Sequence, residues 1–132
     1  MSSAAVADTH ALVFHAAGGR HLGKRAATIF AAAERRAAIV YIPVAVIWEC
    51  ALLARIGFGR PLQDFFADLF IISNPAYQPF DLTPAQIYLA DAMRPKHDPF
   101  DALICAAART LDVPLLTRDG DIQDSGLVAV VW

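Results

Sequence analysis

Apolar positions along the chain fall into short blocks rather than into one period. Residues 4–8 (AAVAD), 38–42 (AIVYI), 70–73 (FIIS), 114–117 (PLLT) and 127–132 (LVAVVW) are brief, mostly apolar runs that predict buried strands. Between them the spacing widens to three and four, as at Leu22, Ala26, Ile29, Phe30 and Ala33, which predicts helices. Helices are expected over about 9–16, 20–36, 44–56, 61–70, 84–93 and 99–111. Two of these carry a start signal: Thr83-Pro84 and Asp98-Pro99 each place a capping side chain before a proline at the first helical position. Gly57 and Gly59 stop the helix after 44–56. The stretches NPAYQPFD (74–81), 94–98 and RDGDIQDSG (118–126) read as loops.

Strands that alternate with helices and are apolar throughout predict a mainly parallel sheet covered on both faces, a three-layer α/β/α sandwich. No repeat, linker or low-complexity segment interrupts the pattern, so one domain over residues 1–132 is expected. Composition agrees: 57% of residues are hydrophobic and the formal charge is −2, which excludes a disordered chain. No uncharged run reaches the roughly 18 apolar residues of a membrane span. The first 20 residues lack the basic start of a secretory signal, so a soluble, cytoplasmic protein is expected. Cys50 and Cys105 lie in separate apolar helices without ligand spacing and read as reduced, buried thiols.

The acids change the picture. Eleven of the 13 acidic residues are Asp, and only Glu34 and Glu49 are Glu, in a chain with 26 alanines. Asp is a poor helix former that collects at caps, turns and strand ends, and it is also a hard oxygen ligand for magnesium or manganese. Asp8 closes the first strand and Asp119 lies two residues beyond 114–117, both at strand carboxyl ends, where open α/β sheets build their sites. Each has an equally good structural account, as a helix cap or a turn residue. Asp101, three residues after the capping Asp98, fits the first turn of a helix as well as it fits a ligand position. Glu49 is more telling: it is the only charged residue between Ala37 and Ala54, and its helical neighbours Ala45, Val46, Leu52 and Leu53 are all apolar. A carboxylate in such company needs a partner or an opening onto a cleft.

Four blocks in order, ADTHALVFHA (7–16), IPVAVIWECALLARIGFGRPL (42–62), HDPFDALICAAA (97–108) and LLTRDGDI (115–122), resemble the PIN-domain family, and within it the VapC-like ribonuclease toxins of type II toxin–antitoxin pairs. The resemblance implies a site in which four acids, here Asp8, Glu49, Asp101 and Asp119, hold one or two Mg²⁺ or Mn²⁺ ions for RNA phosphodiester cleavage. It implies Asp121 as an auxiliary ligand and Thr117 as the small hydroxyl residue that precedes the last acid. It also implies a homodimer bound by a VapB-like antitoxin. Two positions depart from the family pattern: Ala102 stands where arginine is usual, and Val46 where serine is often found.

Carboxylates gathered this closely repel one another, so a divalent cation is expected on electrostatic grounds as well. Among the basic residues, Arg94, Lys96 and Arg118 adjoin the acids and are the candidates for RNA contact, whereas Arg20, His21, Lys24 and Arg25 read as a solvated helix end. His10, His15 and His21 are not expected to bind such metals, which prefer oxygen. Two other functions compete with this reading: a PIN-like RNA-binding or interaction module without catalysis, and a phosphatase using an Asp at the first strand end. The latter needs a second Asp two residues on, where His10 stands.

Overall fold

The computed structural model describes residues 3–57, 74–93 and 98–132. Five strands form one sheet: β1 (Ser3–Ala7), β2 (Ala38–Pro43), β3 (Tyr77–Phe80), β4 (Leu115–Leu116) and β5 (Val130–Val131). They lie in the order β3-β2-β1-β4-β5 and every pairing is parallel. Ala5, Val6 and Ala7 are consecutive and all buried, as are Leu115 and Leu116. Successive strand residues face opposite sides, so these runs require cover on both faces, the expected three-layer arrangement.

The cover comes from helices α1 (Thr9–Ala16), α2 (Lys24–Glu34), α3 (Val44–Arg55), α4 (Pro84–Met93), α5 (Pro99–Leu111) and α6 (Gly120–Ser125). Both proline-marked starts hold. Asp98 caps α5, its Oδ1 accepting from Phe100 N–H at 2.8 Å, and Thr83 Oγ1 accepts from Gln86 N–H at 3.4 Å. The buried face of α5 is Ile104, Cys105 and three alanines, small side chains that let the helix lie close to β1. None of the helices among the described residues is long and apolar enough to cross a membrane.

Some local expectations shift. The segment 74–81, read as a loop, contains β3, which exists because its backbone pairs with β2 from Val40↔Tyr77 to Pro43↔Phe80. Pro79 donates no hydrogen bond, which an edge strand tolerates. The loop 118–126 contains α6, six residues capped by Asp119 and ended by Gly126 in the left-handed region at φ 66°. The last strand shrinks to two residues because the Leu127 backbone is engaged elsewhere, its N–H to Ser125 Oγ and its carbonyl to Arg109. The helix expected from residue 20 starts at Lys24. The helix expected at 61–70, the strand at 70–73 and most of the loop at 94–98 lie outside the described residues.

Candidate active site

A parallel sheet puts every strand's carboxyl end on one edge, and neighbouring loops part where the strand order reverses. Here that point is between β1 and β4: the chain leaves β1 toward β2 on one side and reaches β4 only later on the other. Asp8 follows β1 directly, and its N–H donates to Leu116 O across the β1–β4 pair. Thr117 and Asp119 follow β4. Helix α3 starts immediately after β2 and brings Glu49 up in its second turn, and α5 points its first turn, with Asp101, toward the same place. A cavity of about 320 Å³ opens there, lined by Asp8, Glu49, Asp101, Asp119, Thr117 and Arg118 together with Thr9, His10, Asp98 and Ile104.

Capping and site geometry coexist. Asp8 Oδ1 accepts from Ala11 N–H at 2.7 Å and caps α1. Asp119 Oδ1 accepts from Asp121 N–H at 2.9 Å and Ile122 N–H at 3.2 Å, capping α6. A carboxylate has two oxygens, so a cap can occupy one and leave the other facing the cavity. The fully buried Thr117 joins these two acids: its hydroxyl hydrogen-bonds the Asp8 side chain and accepts from Asp119 N–H at 3.1 Å. Glu49 finds the partner its apolar surroundings demand in Thr9, whose buried hydroxyl donates to Glu49 Oε1. Val46, where the family pattern favours serine, is fully buried in the core.

The electrostatics are those of uncompensated negative charge. Burial, and then repulsion from Asp98, Asp119, Glu49 and Asp8, pushes the Asp101 carboxyl up to about 7. Burial raises Asp8 as well, against the opposing hydrogen bonds from Thr117 and Ala11 and the nearby His10. Burial pushes the Cys50 and Cys105 thiols up to about 12, so they stay protonated and offer no thiolate. Arg118 is the one Lys or Arg lining the cavity among the described residues, and its guanidinium lies 4.8 Å over the Phe14 ring.

Six expected residues therefore meet at one cavity. Asp121 is exposed in the first turn of α6 and is not in the lining, and Arg94 and Lys96 lie outside the described residues. Thr9, His10 and Asp98 were missed as lining residues. For Asp98 the signal was present, since three residues before Asp101 is the same side of a helix start. Thr9 answers Glu49 from 40 residues away and carries no local signal. As they stand, no three His, Cys, Asp or Glu side chains among the described residues form a ready chelate for one metal ion.

A family model described as the PIN domain matches residues 5–126. Among solved structures, the chain is similar to VapBC2 from Rickettsia felis bound to a promoter DNA fragment, at 14% identity, 97% coverage of each chain and a TM-score of 0.69. It is similar to a toxin–antitoxin complex from Klebsiella pneumoniae at 20% identity, covering 97% of this chain and 96% of that one, with a TM-score of 0.66. Mycobacterium tuberculosis VapC20, a toxin that cleaves the sarcin–ricin loop, matches at 21% identity over 96% and 98% of the two chains, with a TM-score of 0.64. No curated protein sequence matches the chain.

Proposed function

Because the chain belongs to the PIN domain family, matched over residues 5–126, we propose that it is a divalent-metal-dependent endoribonuclease, the toxin of a VapBC-type pair. The observation that carries this reading is the convergence of Asp8, Glu49, Asp101 and Asp119 on one cavity at the carboxyl edge of the sheet. The donor set fits a hard cation: it is all oxygen, it gathers several acids, and burial, with repulsion from those acids, pushes the Asp101 carboxyl up to about 7. Mg²⁺ keeps several waters and takes only one or two carboxylates, so a site without a ready three-carboxylate chelate still suits it. Mn²⁺ prefers the same oxygen donors.

Asp8, Asp101 and Asp119 would hold the ion, directly or through water, with Asp121 as an outer ligand. When bound, the ion would supply a water of lowered pKa and charge to offset that on the phosphate oxygens. Glu49, fixed by Thr9, would ligate or orient the attacking water. Thr117 would keep Asp8 and Asp119 in register, and Arg118, with Arg94 and Lys96, would meet RNA phosphates. The protein would be one cytoplasmic domain over residues 1–132, a homodimer inhibited by a VapB-like antitoxin. Exposed Trp48 and Ile56 on and just beyond α3, and Ile87 and Tyr88 on α4, support protein partners.

Expression of the chain alone should arrest growth and degrade RNA, and Asp8→Ala or Asp101→Ala should abolish both effects. Equal growth and intact RNA in every strain would defeat the proposal. Ala102, which stands where the family pattern has arginine, favours a second reading, a PIN fold kept for binding without catalysis. Calorimetry on the isolated protein separates the two, because that reading predicts no heat of Mn²⁺ binding.

A further inference from the structure

The cavity lining is of two kinds: Asp98 and Asp101 at the start of α5, and His10 and Arg118, from which a run of aromatic and basic side chains leads away. That surface begins with His10 and Arg118, which both line the cavity and both face Phe14, whose ring lies 6.1 Å from the His10 ring and 4.8 Å from the Arg118 guanidinium. The Phe14 ring also meets His21 at 5.4 Å and Trp132 at 6.3 Å. Gly23 is pressed against Trp132 so closely that a Cβ there would stand 2.4 Å from its carbonyl carbon, and Arg25 N–H donates to Trp132 O at 3.2 Å. His10, Arg118, Arg20, His21, Lys24 and Arg25 are all exposed. The basic group read from sequence as a solvated helix end thus adjoins the acidic cavity through two shared aromatic contacts.

Resting on the ribonuclease reading, we propose that this surface is the path of single-stranded RNA away from the scissile phosphate, running over Arg118 and His10, across His21, and onto Arg20, Lys24 and Arg25. Charge complementarity and continuity with the cavity select the occupant. An acidic protein segment would find the same cations, but it would gain nothing from imidazole rings set at intervals between them. Unpaired bases do gain, because every base has a face to stack, and the alternation of cations with rings is the pattern that binds a strand without demanding a sequence. Phe14, itself buried, is a positioning residue: it holds the Arg118 guanidinium at the cavity mouth instead of leaving a long side chain to wander.

The probe is a fluorescein-labelled, mixed-sequence RNA of 12 nucleotides, titrated with the full chain in EDTA and followed by anisotropy over a range of salt. The double variant Lys24→Ala, Arg25→Ala should weaken binding about tenfold and make the logarithmic salt slope shallower by about 1.4, since each lost phosphate contact on a single strand removes about 0.7. His21→Ala should weaken binding about fivefold with the slope unchanged, as expected of stacking rather than charge. Phe14→Leu should raise KM for cleavage in Mg²⁺ more than it lowers kcat, and Phe14→Tyr, which keeps the ring, should restore it. Arg109→Ala, a cation near the C-terminus of α5 that bonds Leu127 O, is the control and should bind like the wild type. Wild-type affinity and slope in the double variant would overturn the path, as would an equal loss in the Arg109→Ala control. Binding that responds as described in a protein that cleaves nothing keeps the path and defeats the ribonuclease reading. Cleavage that is indifferent to these variants does the reverse, and a chain that binds no single-stranded RNA overturns both.

Discussion

The two edges of the sheet each hold one of the chain's two glutamates, and the contrast between them separates structural charge from chemical charge. At the amino edge, Glu34 at the end of α2 accepts from the Tyr77 hydroxyl at 2.6 Å and pairs with His15 Nε2 at 2.8 Å, and the His15 ring stacks on Phe30. Burial raises the Glu34 carboxyl, but the Tyr77 and His15 hydrogen bonds and the His15 charge outweigh it, so the group sits below its ordinary value. Acid and partners match there, and Asn74 ties the same edge by bonding Ala33 O and Ala76 N–H. At the carboxyl edge, Glu49 has a hydroxyl partner too, but it shares its cavity with Asp8, Asp98, Asp101 and Asp119 against the Arg118 cation, and Asp101 rises instead. A fold that only needed stability would not assemble that second set. An arrangement that costs stability and lines a cavity is the mark of a functional site.

Amide substitutions should break the two edges apart most widely. Asp101→Asn keeps the shape and removes the charge, and cleavage should fall on the order of 10²–10³-fold, the size of losing one group that stabilises a transition state. Its melting temperature should stay level or rise, because four neighbouring acids lose a repulsive partner. Glu34→Gln should keep cleavage and lower the melting temperature. Parallel RNA-cleavage assays and thermal melts of both variants check the comparison; a Glu34→Gln protein as inactive as Asp101→Asn would erase it.

The edges should also answer pH with opposite signs. Asp101 holds its proton more tightly folded than unfolded, with a value of about 7 against an ordinary 3.8, so its contribution to stability is complete below about pH 4 and is lost as pH rises through about 7. Glu34 is lowered on folding, so its contribution is present above its ordinary 4.5 and is lost as pH falls. A divalent ion should cancel the first effect and leave the second. At about a hundredfold excess over its dissociation constant, Mg²⁺ or Mn²⁺ should add about 2.7 kcal/mol, more at pH 8 than at pH 5, where protons compete for Asp101 and Asp8. Melts across pH with metal and with EDTA measure this. A metal-induced shift that is equal at both pH values, or that persists in Asp101→Asn, would contradict it.

What was legible in the sequence follows the same division. Local signals carried the capped starts of α4 and α5, the buried strands 4–8 and 38–42 and the isolation of Glu49, because each depends on neighbours within a turn or two. The strand in 74–81 was illegible because it is made by β2, whose backbone offers a free edge to a stretch that looks like turns. Helix α6 was hidden by its own cap: Asp119, Gly120 and Asp121 spell a turn until the Asp119 side chain is seen to hold two backbone N–H groups. The acids were found as a set only through family resemblance, since one aspartate at a helix start has the same local appearance whether or not its second oxygen faces a cavity. Thr9 and His10 needed the fold itself, which brings α1 beside α3.

The smallest effect tests whether the amino edge is purely structural. Tyr77 is buried while Glu34 is half exposed, so removing the hydroxyl leaves a carboxylate that water and His15 can still serve. Tyr77→Phe should therefore cost only about 1 kcal/mol, the net worth of an ordinary hydrogen bond, or a few degrees of melting temperature in a domain of this size. It should also release part of what holds the Glu34 carboxyl low, so less stability is lost on acidification below about pH 4.5 than in the wild type. Tyr77 borders neither the cavity nor the aromatic path, and RNA cleavage per folded molecule should be unchanged. A fall in cleavage that outlasts correction for the folded fraction would mean that β2, which Tyr77 pairs with at Val40 and which leads into α3, transmits the state of one edge to Glu49 at the other.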